Sequence, residues 1–190
     1  FLFFVVFGVD AQKERLQHPA TDALNILGNT LLSMRDAEEL IKVNTQFTYL
    51  LDSVLRQPES IKYVFDSVTI LSVFEPKSKA FRLFNWSVRY TDNTYGYFGL
   101  IQYIHKKTGA IKLYLLHNND SMMAAIEKQK VSYTNWIGAH YYKLIETKYQ
   151  KNTYYTLLGW DGSSPTTTKK VIEILTFDEA CQPWFGADVF

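Results

Sequence analysis

The densest group of chemistry-bearing residues in this chain is Trp160-Asp161-Gly162-Ser163-Ser164. A carboxylate, hydroxyls and nearby carbonyls are the oxygen ligands a hard cation such as calcium takes, but the segment lacks the repeated acidic positions of a calcium loop. Asp-Gly is also hairpin-turn chemistry, and that is the reading the segment favours. Paired carboxylates are the signature of glycoside hydrolysis. Glu75, Asp92, Glu146, Asp161 and Glu173 fall on different predicted strands and turns, so the sequence brings no two of them together. Glu173 stands apart because Ile172 and Ile174 flank it in an apolar run, which predicts partial burial. Such a residue is either a rim carboxylate paired with Arg82, Arg89 or Lys143, or a site acid with a raised pKa. A hydrolase using Asp161 or Glu173 as acid or base is therefore the alternative function.

Metal and nucleophile chemistry have less behind them. His18, His105, His117 and His140 lack a His or Cys at ligand spacing, which predicts no zinc site. Cys181 is the single cysteine and sits in a terminal turn, where a base such as His117 or His140 would have to approach it through space. Ser163 has no nucleophile-elbow glycines around it, and no phosphate-binding glycine pattern occurs, so no cofactor is expected.

Binding has more support, because aromatic residues make up 16% of the chain, with 13 Tyr, 13 Phe and 4 Trp. On a concave sheet face Trp86, Tyr141, Tyr155 and Trp160 would supply stacking surface, with Arg82 and Asp161 as orienting polar contacts. The expected partner is a small ligand or an envelope protein. Twenty basic and 19 acidic residues leave a net charge of +1, which argues against the broad basic surface of a nucleic-acid-binding protein. A local basic patch is compatible with that balance.

The elements that must position these residues follow from pattern. Phe1 to Val9 is apolar and leads into Asp10-Ala11, which reads as the remnant of a signal peptide over 1–11, cut before Gln12. A buried N-terminal strand is the competing reading. At roughly twenty residues for a bilayer span, the run is too short to predict a membrane anchor. Residues 12–190 then form one domain, helical over 21–57 and sheet over 68–190. Thr21 is the expected cap of a first helix with Leu24, Leu27, Leu31 and Met34 on one face, weakened or broken at Gly28-Asn29. Asp36 and Glu39 resemble a capping box for a second helix, which carries Leu40, Val43, Phe47, Leu50 and Val54 and ends before Pro58.

From residue 68 the period changes to two. Strands are predicted over 68–74, 81–90, 95–104, 111–116, 136–149, 153–160 and 170–177, with a short closing strand near Trp184. The insertion over 118–135 is expected to carry a short helix around Met122 to Ile126. In 136–149, alternation puts Leu144 and Glu146 on the more solvated face. A turn over 161–168 joins the last long strands, and 170–177 is apolar on both sides, as a central strand is. The fold class is α+β, with N-terminal helices packed on a mainly antiparallel, strongly twisted meander sheet or partial barrel.

The segment Tyr154-Tyr155-Thr156-Leu157-Leu158-Gly159-Trp160-Asp161-Gly162, then Lys169 to Leu175, Phe177-Asp178 and Pro183-Trp184-Phe185-Gly186, resembles a group of uncharacterised exported proteins of Bacteroidota-like bacteria. Phe81-Arg82-Leu83-Phe84-Asn85-Trp86 resembles their sheet-opening segment. The resemblance implies export, to the periplasm or beyond, and this type of sheet, with no attached activity. Ala180-Cys181 departs from it where a glycine is expected in the last hairpin turn, since other residues resist positive φ. The function expected is a non-catalytic exported envelope protein that binds through its aromatic-rich face.

Overall fold

Both helices bury the stripe their spacing sets out. A computed structural model describes residues 16–119, 130–150, 152–164 and 166–186. In it, α1 (Ala20–Ser33) buries Thr21, Leu24, Gly28 and Leu31, and α2 (Ala37–Leu55) buries Leu40, Asn44, Phe47, Leu51, Val54 and Leu55. Helix α1 runs unbroken through Gly28. A Cβ there would lie 2.8 Å from Ile70 Cγ2, so the glycine buys close packing rather than a break. Thr21 does not cap α1. It lies buried inside the helix, while the imidazole Nδ1 of His18 accepts the Ala20 N–H at 3.0 Å. At α2, Asp36 accepts the Glu39 N–H at 3.0 Å, but Glu39 pairs with Lys42 at 2.7 Å instead of returning to Asp36. A 3₁₀ turn, Pro58–Lys62, follows α2 as the proline requires. Short parallel strands β1 (Leu16–Gln17) and β2 (Tyr63–Val64) flank the helical region.

Among the described residues, nine further strands divide between two antiparallel sheets. The first is four-stranded, in the order β3 (Ser72–Phe74), β4 (Phe81–Arg89), β5 (Tyr95–Ile104), β6 (Ile111–Leu116). The second has the order β7-β11-β10-β9-β8, with β7 (Val131–Ser132), β8 (His140–Tyr149), β9 (Asn152–Ser164), β10 (Thr167–Phe177) and β11 (Pro183–Phe185). The protein is an α+β fold of helices packed against antiparallel sheets, and among the described residues the sheets close no barrel. The expected strand over 68–74 begins only at Ser72, because Val68 and Ile70 join the core under the helices. The signal-peptide reading over 1–11 and the short helix expected around Met122 to Ile126 lie outside the described residues. Among the described residues, no helix is long and apolar enough to cross a membrane.

Alternation on β4 makes the four-stranded sheet the middle layer. Phe84, Trp86 and Val88 pack with Leu24, Phe47 and Leu51 of the helices. Phe81 and Leu83 point the other way and join Tyr97, Ile101, Tyr141, Leu157, Leu175 and Phe185 between the sheets. Two apolar cores therefore share one sheet, which is why both sides of β4 read as apolar.

Two details of the second sheet correct the expected pattern. Register shifts between Tyr141 and Lys143, so Tyr142 is an extra residue, and every position beyond it changes face. Leu144 and Glu146 are consequently half-buried, while Ile145 is 39% exposed. Strand β10 does lie centrally between β9 and β11, yet Ile172 is 63% exposed, so only one face of the strand is covered at that point.

Candidate functional site

Asp161-Gly162 is not a hairpin turn. Strand β9 runs on to Ser164, whose partner across the hairpin is Thr167. Burial against β5 explains why. The hydroxyl of Tyr97 donates to Asp161 Oδ1 at 3.1 Å and accepts the Gly162 N–H at 2.6 Å. A Cβ on Gly162 would lie 2.5 Å from Tyr95 Cδ2, so the absence of a side chain seats the Tyr95 ring on the strand. Asp161 is 5% exposed, and its Oδ2 meets no donor among the described residues. Desolvation pushes the Tyr97 phenol well above its ordinary value and outweighs the opposing Gly162 N–H, with Asp161 adding to the rise. Among the described residues, no group of three or more His, Cys, Asp or Glu converges as a metal site would require.

Next to this knot an open cleft of about 450 Å³ lies between the β4–β5 turn and the β9–β10 turn. Tyr95 and Trp160 form its aromatic part, with ring centroids 5.0 Å apart and planes at 89°. Arg89 and Lys170 are its charged lining residues. Arg89 donates to Asn93 Oδ1 at 2.8 Å, and Lys170 Nζ sits 5.6 Å from the centre of the Tyr142 ring, so each cation has a neighbour that holds it. Ser164, Thr166, Thr167 and Thr168 complete the wall with hydroxyls. Of the residues expected to form the site, Trp160 lines this cleft and Asp161 lies behind it, next to Gly162.

The other expected site residues lie elsewhere. Trp86 is fully buried under α2, donates from Nε1 to Asn44 Oδ1 at 2.8 Å, and packs against Phe47 and Phe98. Arg82 shares that helix-facing side. It donates to Gln102 Oε1 at 2.6 and 2.9 Å, to Ser60 O at 2.7 Å and to Tyr63 O at 2.9 Å, clamping the turn after α2 to the sheet. Burial lowers its pKa to about 10, so it stays charged at neutral pH. Tyr141 and Tyr155 are buried between the sheets, where Tyr155 meets Phe81 edge-on at 4.8 Å. Strand alternation thus sends Arg82 and Trp86 to one side of the middle sheet and the tyrosines to the other, and no single face presents them all.

Comparison with protein-family models, with curated proteins and with solved structures gave no match. What this chain can do is carried by its own side chains.

Two polar groups outside the cleft have catalytic residue types. Glu173 accepts from the Tyr141 hydroxyl, which in turn accepts from Trp136 Nε1 at 2.7 Å. Desolvation of its carboxyl lifts Glu173 from 4.5 to about 7, against the lowering effect of Tyr141 and Trp136. Its carboxyl is a desolvated acid and, among the described residues, forms no ion pair. Glu173 faces Leu157 across the hairpin, four positions from Asp161 along β9. That separation is roughly 13 Å at strand rise, wider than the spacing of paired glycosidase carboxylates. Neither acid lines the cleft.

The second group joins Ser87 Oγ to His140 Nδ1 at 3.1 Å, next to the Trp160 ring. Burial lowers the His140 pKa, because desolvation disfavours the charged imidazolium. Among the described residues no carboxylate hydrogen-bonds its other nitrogen, so the pair lacks the orienting third member of a triad. Sequence reasoning missed Arg89, Tyr95, Lys170 and this pair. A basic residue at the strand end beside each of two remote turns is the signal that could have pointed to the cleft.

Proposed function

We propose that the protein is an exported envelope protein that binds a small polar ligand, without converting it, in the cleft between the β4–β5 and β9–β10 turns. The observation that supports this is the lining itself: Tyr95 and Trp160 set edge-on, with Arg89, Lys170 and a run of hydroxyls, and, among the described residues, no carboxylate or imidazole in the wall. Aromatic surface supplies burial and the polar groups supply orientation, the usual division of labour in a ligand site. Its volume of about 450 Å³ falls in the range of such sites. Export rests on the apolar leader and on the resemblance of the C-terminal segments to exported proteins.

A thermal-shift screen against oligosaccharides, peptides and divalent cations tests the binding reading. A ligand-dependent rise in Tm that disappears in W160A supports it; no shift with any member of the panel overturns it. For export, mass spectrometry of the mature protein should find a start near Gln12, and a different start counts against the leader.

A further inference from the structure

We infer, on the basis of the ligand-binding reading of this cleft, that its ligand is an anionic saccharide whose rings carry carboxylate or sulfate groups. Charge is the first reason. Arg89 and Lys170 are the charged residues of the wall, and each is held in place, by the Asn93 amide and by the Tyr142 ring. The neighbouring acids are turned to other work. Asp92 accepts from the Thr94 N–H at 2.9 Å and from its hydroxyl at 2.6 Å, and Asp161 faces the Tyr97 hydroxyl behind the wall. Neither acid lines the cleft, and its charged lining residues among the described ones are both cations.

The uncharged lining selects the rest of the ligand. Tyr95 and Trp160 are half-buried and offer apolar ring surface, which suits the C–H face of a sugar. Ser164, Thr166, Thr167 and Thr168 can each donate and accept, the capacity that vicinal sugar hydroxyls need. An acidic peptide docked by strand addition fits less well, because that mode pairs the peptide backbone with a free sheet edge. Here the wall comes from two hairpin ends, and Ser164 already pairs with Thr167. A neutral sugar could accept hydrogen bonds from both cations, but a carboxylate or sulfate makes the stronger, charge-assisted ones.

The test is calorimetric titration with an oligogalacturonate, a chondroitin sulfate oligosaccharide, a malto-oligosaccharide of equal length and poly-glutamate. Tenfold or tighter binding of the uronate or the sulfated sugar over the neutral one is expected, and which of them binds names the source of the charge. Arg89→Gln and Lys170→Gln, both at exposed positions, should each weaken that binding by about tenfold, with unchanged far-UV circular dichroism. Raising NaCl from about 0.05 to about 0.5 M should weaken it further. Equal affinity for the neutral sugar, abolished in W160A, overturns the anionic class and leaves the cleft reading standing. Tighter binding of poly-glutamate overturns the saccharide. Binding of none of these probes overturns the inference, and the cleft reading then stands or falls on the rest of the thermal-shift panel.

Discussion

Replacing Glu173 by Gln should stabilise the protein in a strictly pH-dependent way. Burial raises the Glu173 pKa in the folded chain to about 7 from the 4.5 of an ordinary glutamate. Below pH 4.5 the residue is protonated in both folded and unfolded chains, and its stability contribution is complete. Between 4.5 and about 7 the unfolded chain releases the proton while the folded chain keeps it, so stability falls as pH rises. At about 1.4 kcal/mol per pH unit the loss totals about 3 kcal/mol, an upper figure because part of the side chain still meets solvent. Above that window both states are ionised and the deficit stays constant. Gln carries no proton to lose, and its carbonyl can accept from Tyr141 as the carboxyl does.

Urea unfolding of both proteins at about pH 4.5, 6 and 8, with the m-value checked for constancy, measures the effect. The stability of E173Q relative to the native chain should climb by up to about 3 kcal/mol across the window. Taking the difference between the two proteins removes every other titrating group. A difference that stays flat from acid to alkaline pH would refute the buried-acid description. Tyr141→Phe gives an independent check: it removes the hydrogen bond that holds the pKa down, so the window should shift to higher pH.

Arg82→Met should cost about 3–5 kcal/mol in urea unfolding, because the Ser60 and Tyr63 carbonyls and the Gln102 amide oxygen each lose a buried donor. Arg82→Lys should recover little of it, since one ammonium cannot replace a fork of donors; a loss under about 1 kcal/mol in either variant would show that the clamp is replaceable. Cys181 adopts φ 66°, the left-handed region, in the turn where a glycine is expected. Cys181→Gly should therefore raise stability by about 1 kcal/mol, or roughly 2–4 °C in Tm. The Tyr103 phenol, pushed up to about 12 chiefly by Cys181, should titrate closer to 10 in the same variant. An unchanged Tm would mean that the turn carries no strain, and an unchanged Tyr103 titration that the thiol does not reach it.

Fold class was legible because it depends on period, and period survives in the sequence. The spacing of Leu40, Phe47 and Val54 marks the face that α2 buries, and the apolar residues on both sides of β4 reflect a sheet covered on both faces. Features set by distant contacts were illegible. Asp161-Gly162 has the composition of a turn, and the residue that makes it a strand, Tyr97, lies 64 positions away. Arg82 reads as a ligand contact because charged residues are seldom buried, and carbonyls of the turn after α2 decide otherwise. One extra residue at Tyr142 is invisible to an alternation rule, yet it reverses the rest of β8.

The same buried polar residues explain why the cleft lies where it does. Apolar packing fixes which faces meet but leaves neighbouring layers free to slide, whereas a buried hydrogen bond is satisfied in one alignment and costly in others. Arg82 and Gln102 lock the helices to the middle sheet through Ser60 and Leu55. Asn85 locks β8 to β4 and β5: its Oδ1 accepts the Tyr141 N–H at 2.7 Å, and its Nδ2 donates to Phe98 O and Ala139 O at 3.0 Å each. Tyr97 locks β5 to β9 through Asp161 and Gly162, one residue from Trp160 and two from Tyr95. Both aromatic walls of the cleft thus stand on strands whose relative position one buried hydroxyl fixes, so the shape of the cleft is set by the fold itself.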